Sequence, residues 1–224
     1  MNELALPTQF KKSIFWVATK NINNCTPPGE NTFNQFDGDL LHPHAGQNRG
    51  MFSEETSSGL ILDSDWDYSD NFLAFESLYE FIAIKDFYKK NISLQESVFY
   101  QRFYKYMRSG KKARGYSDYN LLVKDRELQL RSLIESITLR GVLPVGGMNA
   151  THAHTDDISV NVSRNGHLLF NNKGHHRLSI AKLLNVEFIP VNIVCWHASF
   201  VSTIHLSGMC NLSPSKLSSR FFIL

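Results

Sequence analysis

Residues 157–197 read DISVNVSRNGHLLFNNKGHHRLSIAKLLNVEFIPVNIVCWH, and their hydrophobic period changes along the chain. Apolar and polar residues alternate from Ile158 to Val162, which is typical of a strand with one face buried and one face in solvent. Arg164-Asn-Gly166 follows, and an Asn-Gly pair favours a hairpin turn because both residues tolerate positive φ. Residues 167–170 then predict the returning strand.

A helix and a further strand follow this hairpin. Gly174 opens a segment whose apolar residues recur at helical spacing, and residues 189–195 read as a buried strand. The sequence therefore predicts an α+β protein, in which a mostly helical N-terminal part packs on a small α/β module. The predicted organisation is a loop-rich segment at 1–75, rich in Asn, Gly, Pro, Ser and Thr, a helical region at 76–141, the module at 142–200 and a C-terminal tail at 201–224.

Composition excludes some classes of protein and leaves others open. The formal net charge of +2 is too close to neutral to indicate nucleic-acid binding by itself. Cys25, Cys195 and Cys210 are widely spaced and match no zinc or disulfide pattern, which favours a reducing compartment. No window approaches 18 apolar residues. We expect a soluble cytoplasmic protein with no membrane partner. These features are compatible with a monomer and with an oligomer.

The candidate binding site is the junction between a strand and a helix at Asn171-Asn-Lys-Gly-His-His-Arg177. A helix N-terminus presents unpaired N–H groups and the positive end of a dipole, and Gly174 lets the backbone approach an anion closely. Arg177 can bind a phosphate bidentately, and its place on the first helical turn makes solvent or ligand its expected partner. The alternative is a solvated helix start whose arginine pairs with a carboxylate. The predicted phosphate-binding residues are Gly174, His175, His176, Arg177 and Ser179.

Three segments resemble the ParB/sulfiredoxin-like superfamily of ParB-like nuclease-domain proteins. They are residues 157–170, Gly174-His-His-Arg-Leu-Ser-Ile-Ala181 and Ile189-Pro-Val191. In partition proteins of this superfamily the glycine-arginine motif contacts CTP phosphates and a helix-turn-helix region follows, whereas little chain follows this module. Sulfiredoxins carry a catalytic cysteine where this chain has His175. The resemblance is strongest to the free-serine kinases, which use a similar motif to bind phosphate, although Lys173 replaces their usual acidic residue.

Phosphoryl transfer also needs carboxylates near a metal-bound nucleotide. Asp63, Asp65 and Asp67 alternate with other residues, so an extended segment would place them on one face as a magnesium or hydroxyl site, with Asp65 and Asp67 as the candidate metal ligands. The alternative is a solvated acidic turn. The candidate catalytic residues are Asp157, Asp65 and His176.

The leading expectation for function is a nucleotide-dependent phosphotransferase or nucleotide hydrolase with a small hydroxyl-bearing acceptor. Its expected cofactors are a nucleoside triphosphate or diphosphate (ATP, ADP or CTP) and Mg2+. A competing hypothesis is a nucleic-acid-binding protein or nuclease, because residues 85–131 contain 12 Lys or Arg against 5 Asp or Glu, interleaved with aromatic residues. Helical spacing of those aromatics favours a packed core beneath a basic surface. A third hypothesis is a nucleotide-binding switch without turnover.

Overall fold

The computed structural model describes residues 5–36, 47–52, 59–70, 72–150, 152–154 and 156–222. This part of the chain is an α+β fold, as predicted, with a mixed six-stranded sheet, a two-stranded ribbon and six α-helices. The strands are β1 (Ile14–Ala18), β2 (Ile22–Cys25), β3 (Phe33–Phe36), β4 (Asn48–Met51), β5 (Leu60–Leu62), β6 (Ile158–Val162), β7 (Leu168–Phe170) and β8 (Phe188–His197). The helices are α1 (Tyr79–Lys90), α2 (Val98–Met107), α3 (Tyr119–Arg140), α4 (His175–Leu183), α5 (Ala198–Leu206) and α6 (Pro214–Phe221).

The longest strand, β8, organises the main sheet, whose order is β1-β8-β6-β7-β2. β6 runs parallel to β8, and β1 pairs antiparallel with the first half of β8. β5 pairs parallel with the last residues of β8. β6 and β7 form the predicted antiparallel hairpin, and β2 runs parallel to β7 at the edge. The chain therefore leaves β7, passes through α4 and returns in β8, which places the N-terminus of α4 at one end of the sheet.

The structure corrects the prediction for residues 1–75. They supply β1, β2 and β5 to the main sheet and both strands of the ribbon, whereas the sequence suggests mostly loops. These strands are three to five residues long, and short strands are stabilised by pairing with distant parts of the chain rather than by local preference. The tail at 201–224 likewise contains α6 and most of α5.

Helices α1 and α3 pack against α4, and α2 packs against both α1 and α3. The buried residues of α1 are Phe81, Ala83, Ile84 and Phe87, together with the charged Glu80. Packing of α1 on α4 brings this glutamate to the start of α4. Within the described chain, no helix combines the length and the apolar character needed to cross a membrane.

β6 is buried on both faces, whereas its alternating sequence predicts one solvent-exposed face. Asn161 is fully buried, and its amide nitrogen donates to Thr26 Oγ1 at 2.7 Å and Asn171 Oδ1 at 2.9 Å. Its amide oxygen accepts from the backbone N–H of Cys195 at 3.1 Å. Burial of this amide is tolerated because both its oxygen and its nitrogen are hydrogen-bonded. The covering apolar cluster contains Phe52, Trp66, Leu169, Val194 and Cys195.

Candidate functional site

Gly174 lies where the loop after β7 meets the first residue of α4. Its φ of +78° is left-handed, a conformation that favours glycine. A Cβ atom at this position would lie 2.7 Å from the Cα atom of Ile158, which is too close for any side chain. Only glycine therefore lets the helix N-terminus lie directly against the start of β6.

A cavity of about 430 Å³ opens at this helix N-terminus. We call it the Gly174 cavity. Four of the described side chains that line it are cationic, and one is a carboxylate. The first N–H groups of α4 add the positive end of the helix dipole, so the cavity attracts anions. Its lining residues are Arg49, Glu80, Arg114, Leu133, Asn172, Lys173, Gly174, His175, His176 and Arg177.

His175 does not act as a cation in this cavity. Arg49 Nη2 lies 2.6 Å from His175 Nε2 and also donates to the side-chain oxygen of Asn172. A guanidinium can only donate, so His175 Nε2 must be the unprotonated acceptor. Burial, assisted by the charge of Arg49 and opposed by that of Glu80, lowers the pKa of His175 to about 3. His175 is therefore neutral at pH 7 and positions the guanidinium of Arg49.

Glu80 and His176 form a carboxylate–imidazole pair at the wall of the cavity. His176 Nε2 lies 3.1 Å from Glu80 Oε1, and 32% of the His176 side chain is exposed. Burial alone would raise the pKa of Glu80, but His175, which is protonated in the acid range where Glu80 titrates, outweighs it together with His176 and Arg114 and holds that pKa well below its usual value. The carboxylate is thus ionised and accepts from Nε2. His176 Nδ1 then remains as a nitrogen that can take up a proton.

Arg177 lines the cavity but is held by protein acceptors, which corrects the expectation that solvent or ligand is its partner. Its Nη1 lies 3.3 Å from Asp157 Oδ1 and from the carbonyl oxygen of Asp156, and its Nη2 donates to the carbonyl oxygen of Leu143. Asp157 is buried and also accepts from two backbone N–H groups. The two residues therefore join the start of α4 to the segment before β6.

The other predicted site residues lie outside the lining of the Gly174 cavity. Ser179 is fully buried in α4, and its hydroxyl has no hydrogen-bond partner among the described residues. Asp65 and Asp67 are together, as expected for an acidic pair, but both bind Arg164: Nη2 of this arginine lies 2.7 Å from each carboxylate. Asp67 also accepts from the backbone N–H of Arg164. In this arrangement the cation that the two carboxylates share is a guanidinium.

Three charged residues of the cavity lie outside the stretch 171–177 that the sequence indicated, namely Glu80, Arg49 and Arg114. Arg49 comes from β4 in the ribbon, and Arg114 from the turn between α2 and α3, where it has a left-handed φ of 49°. Only Glu80 carries a sequence signal: it is a charged residue one position before Phe81 on the buried side of α1. A charge on a buried helix face needs a partner, which is a reason to look for one.

The basic region at 85–131 uses several of its cations in packing. Arg102 Cζ lies 4.3 Å from the ring centroid of Tyr79, and Arg131 Cζ lies 4.7 Å from that of Phe87. Of the aromatic residues whose helical spacing predicts a packed core, Phe99, Tyr100 and Phe103 are buried, whereas Tyr104 is exposed.

No protein-family model, no curated protein and no solved structure matches this chain. The resemblance to the ParB/sulfiredoxin-like superfamily stays a prediction, and the chemistry of the Gly174 cavity is the basis on which a function can be inferred.

Proposed function

We propose that the Gly174 cavity binds the phosphate groups of a nucleotide, and that the protein is a nucleotide-dependent phosphotransferase or nucleotide hydrolase with a small hydroxyl-bearing acceptor. The observation that carries this proposal is the charge of the cavity: among the described residues, Arg49, Arg114, Lys173 and Arg177 line it against one carboxylate, that of Glu80. Asp157 compensates Arg177. We assign Arg49, Arg114 and Lys173 as the phosphate ligands because all three are cationic side chains of the cavity lining. The resemblance to ParB-like proteins that the sequence suggests also supports a phosphate site at this motif.

Glu80 and His176 supply the proton acceptor that such a reaction needs. The attacking hydroxyl or water gives its proton to His176, and its oxygen forms a bond to the terminal phosphorus. The bond from that phosphorus to the bridging oxygen breaks, and the electron pair stays with the departing nucleotide phosphate. Glu80 orients the imidazole and stabilises its protonated form. A switch that binds nucleotide without turnover would share the cavity but not this step.

Magnesium enters this proposal as the complex with the nucleotide. The part of the chain that the structure describes has no group of three His, Cys, Asp or Glu placed to hold a metal ion, and Asp65 and Asp67 are bound to Arg164. The ion would be held mainly by phosphate oxygens and water, which is common for Mg2+.

Calorimetry with ATP, ADP, CTP and GTP, each with and without MgCl2, tests the binding step. Lys173→Ala and Arg114→Ala are expected to weaken nucleotide binding at least tenfold, because each removes a charge-assisted contact worth about 1.5–3 kcal/mol. The matched control is Lys124→Ala, which removes an exposed lysine from α3, outside the cavity lining. Unchanged affinity in both cavity variants would overturn the proposal, as would salt-sensitive binding of oligonucleotides without any nucleotide binding.

Phosphate release and phosphorylated acceptor, measured with and without small alcohols, then test turnover. His176→Ala is expected to abolish turnover while nucleotide still binds. A protein that binds nucleotide but shows no turnover under any of these conditions would be the switch rather than the enzyme.

A further inference from the structure

A second cavity of about 230 Å³ adjoins the Gly174 cavity. We call it the Tyr100 cavity. Glu80, Leu133 and His176 line both cavities, so the two meet at the carboxylate–imidazole pair. The lining of the second cavity is mostly apolar, in contrast to the cationic lining of the first. Its lining residues are Glu80, Ile84, Tyr100, Arg126, Gln129, Leu130, Leu133 and His176.

We propose that the Tyr100 cavity binds the base of the same nucleotide whose phosphates occupy the Gly174 cavity, and that this base is guanine. The proposal rests on the proposed function and deepens it. A nucleobase is flat and weakly polar on its faces, and the aliphatic side chains of Ile84, Leu130 and Leu133 together with the ring of Tyr100 provide apolar surface for such faces. Ligand pockets commonly combine walls of this kind with a few polar groups that set orientation.

Arg126 and Gln129 are the polar groups that line this cavity but not the Gly174 cavity, in addition to the shared Glu80 and His176. Arg126 Nη1 donates to Gln129 Oε1 at 3.0 Å. A guanidinium group can only donate, so the side-chain atom of Gln129 that contacts Arg126 must be the amide oxygen. The amide NH2 group of Gln129 then remains as a donor. Arg126 Nε is buried and has no hydrogen-bond partner among the described residues. A buried donor of this kind needs an acceptor, which a ligand can supply.

The donors of Arg126 and Gln129 discriminate among bases. Guanine presents two adjacent acceptors, O6 and N7, which arginine recognises bidentately. Adenine has an amino group in place of O6. This amino group is itself a donor, so it cannot accept a hydrogen bond from the guanidinium of Arg126, and both donors would be left unpaired. Guanosine nucleotides are thus expected in place of the ATP, ADP or CTP that the sequence suggests.

Calorimetry in MgCl2 with tripolyphosphate, GTP, inosine triphosphate and ATP separates the two proposals. Inosine triphosphate keeps O6 and N7 but lacks the 2-amino group of guanine. GTP and inosine triphosphate are expected to bind at least tenfold more tightly than ATP, the discrimination typical of one bidentate base contact, and more tightly than tripolyphosphate. Absence of binding by all four compounds would refute the phosphate site. Equal binding of GTP and tripolyphosphate would refute only the base site, and ATP binding as tightly as inosine triphosphate would refute guanine.

A pair of substitutions on α3 locates the base. Gln129→Trp places a large side chain at an exposed residue that lines the Tyr100 cavity, whereas Leu128→Trp makes the same change at its exposed neighbour outside the lining. Gln129→Trp is expected to reduce GTP affinity to that of tripolyphosphate while tripolyphosphate affinity stays unchanged. Leu128→Trp is expected to leave both affinities unchanged, and melting temperatures show whether each variant is folded. Normal GTP binding by folded Gln129→Trp would exclude the Tyr100 cavity as the base site.

Discussion

The Nη2 atom of Arg49 lies 2.6 Å from the Nε2 atom of His175, and this contact defines the charge of the candidate site. A protonated imidazole could not accept from the guanidinium, so the two residues coexist only while His175 is neutral. The first histidine of the Gly-His-His-Arg motif thereby orients a cation, and the second, His176, contacts Glu80. Adjacent residues of the same type thus have different roles because their partners differ.

Acid is expected to destabilise the protein through His175. The pKa of this residue is about 3 in the folded state and ordinarily 6.5. Between these values the unfolded chain binds a proton that the folded protein does not, so stability is lost as the pH falls from about 6.5 towards 3. One proton corresponds to a slope of at most about 1.4 kcal/mol per pH unit. Glu80, whose folded pKa is lowered from 4.5, contributes in the same direction only below pH 4.5.

Urea unfolding of His175→Gln at several pH values tests this expectation, because glutamine keeps an acceptor for Arg49 but does not titrate. The variant should lose less stability than the wild type between pH 6.5 and pH 4.5. The same pH dependence in both proteins would show that His175 is not the titrating group.

Substitution of Gly174 by alanine is expected to cost more stability than the same change at Gly115. Both glycines have left-handed φ values, +78° and +86°. A Cβ atom at Gly115 meets nothing within 4 Å, whereas one at Gly174 lies 2.7 Å from Ile158 Cα. Gly115→Ala should cost about 1–2 kcal/mol for the backbone conformation alone. Gly174→Ala should add an overpacking cost of about 1–3 kcal/mol, measurable by urea unfolding. Equal costs would mean that the loop moves away from β6 without penalty.

Arg177→Ala and Lys173→Ala are expected to separate stability from binding. Loss of Arg177 leaves the buried carboxylate of Asp157 without its cation, which should cost roughly 3–5 kcal/mol. Lys173 is exposed, so its removal should change stability by no more than about 0.5 kcal/mol while weakening nucleotide binding. Unfolding and binding measurements on both variants check this. If the Arg177→Ala protein had wild-type stability, Arg177 would not be needed to compensate Asp157 and would instead be assigned to ligand binding.

Arg164 is expected to stabilise the fold mainly through Asp67 and little through Asp65. The Asp67 side chain is 1% exposed, and that of Asp65 is 83% exposed. Arg164→Gln should cost about 3 kcal/mol, because it leaves a buried carboxylate uncompensated. Asp65→Ala should cost about 0–1 kcal/mol, as surface ion pairs do. These free energies of unfolding are measured without and with MgCl2. A stabilising effect of Mg2+ on the wild type that Asp65→Ala abolishes would instead support a metal at the acidic pair.

The sequence alone was sufficient for the elements whose pattern is local. The alternation from Ile158 to Val162 predicted β6 with its correct bounds, and the Asn165-Gly166 pair predicted the hairpin. Gly174 was correctly identified as the residue that precedes α4. These features depend on side-chain period and on backbone conformation at single residues, both of which can be read from neighbouring positions.

Only the tertiary structure decided which residues meet at the end of the sheet. Arg49, Glu80 and Arg114 come from β4, α1 and the turn before α3, and they reach Gly174 because α1 packs on α4 and the ribbon lies beside the loop after β7. The position of Asn161 was also decided by tertiary structure. Its polar character predicts a solvent-facing position, but it is buried beneath a second apolar cluster. The environment of a residue depends on elements far away in the chain, and the local sequence does not indicate which distant elements pack against it. The motif at Gly174 thus determined where a helix begins, and long-range packing determined what surrounds it.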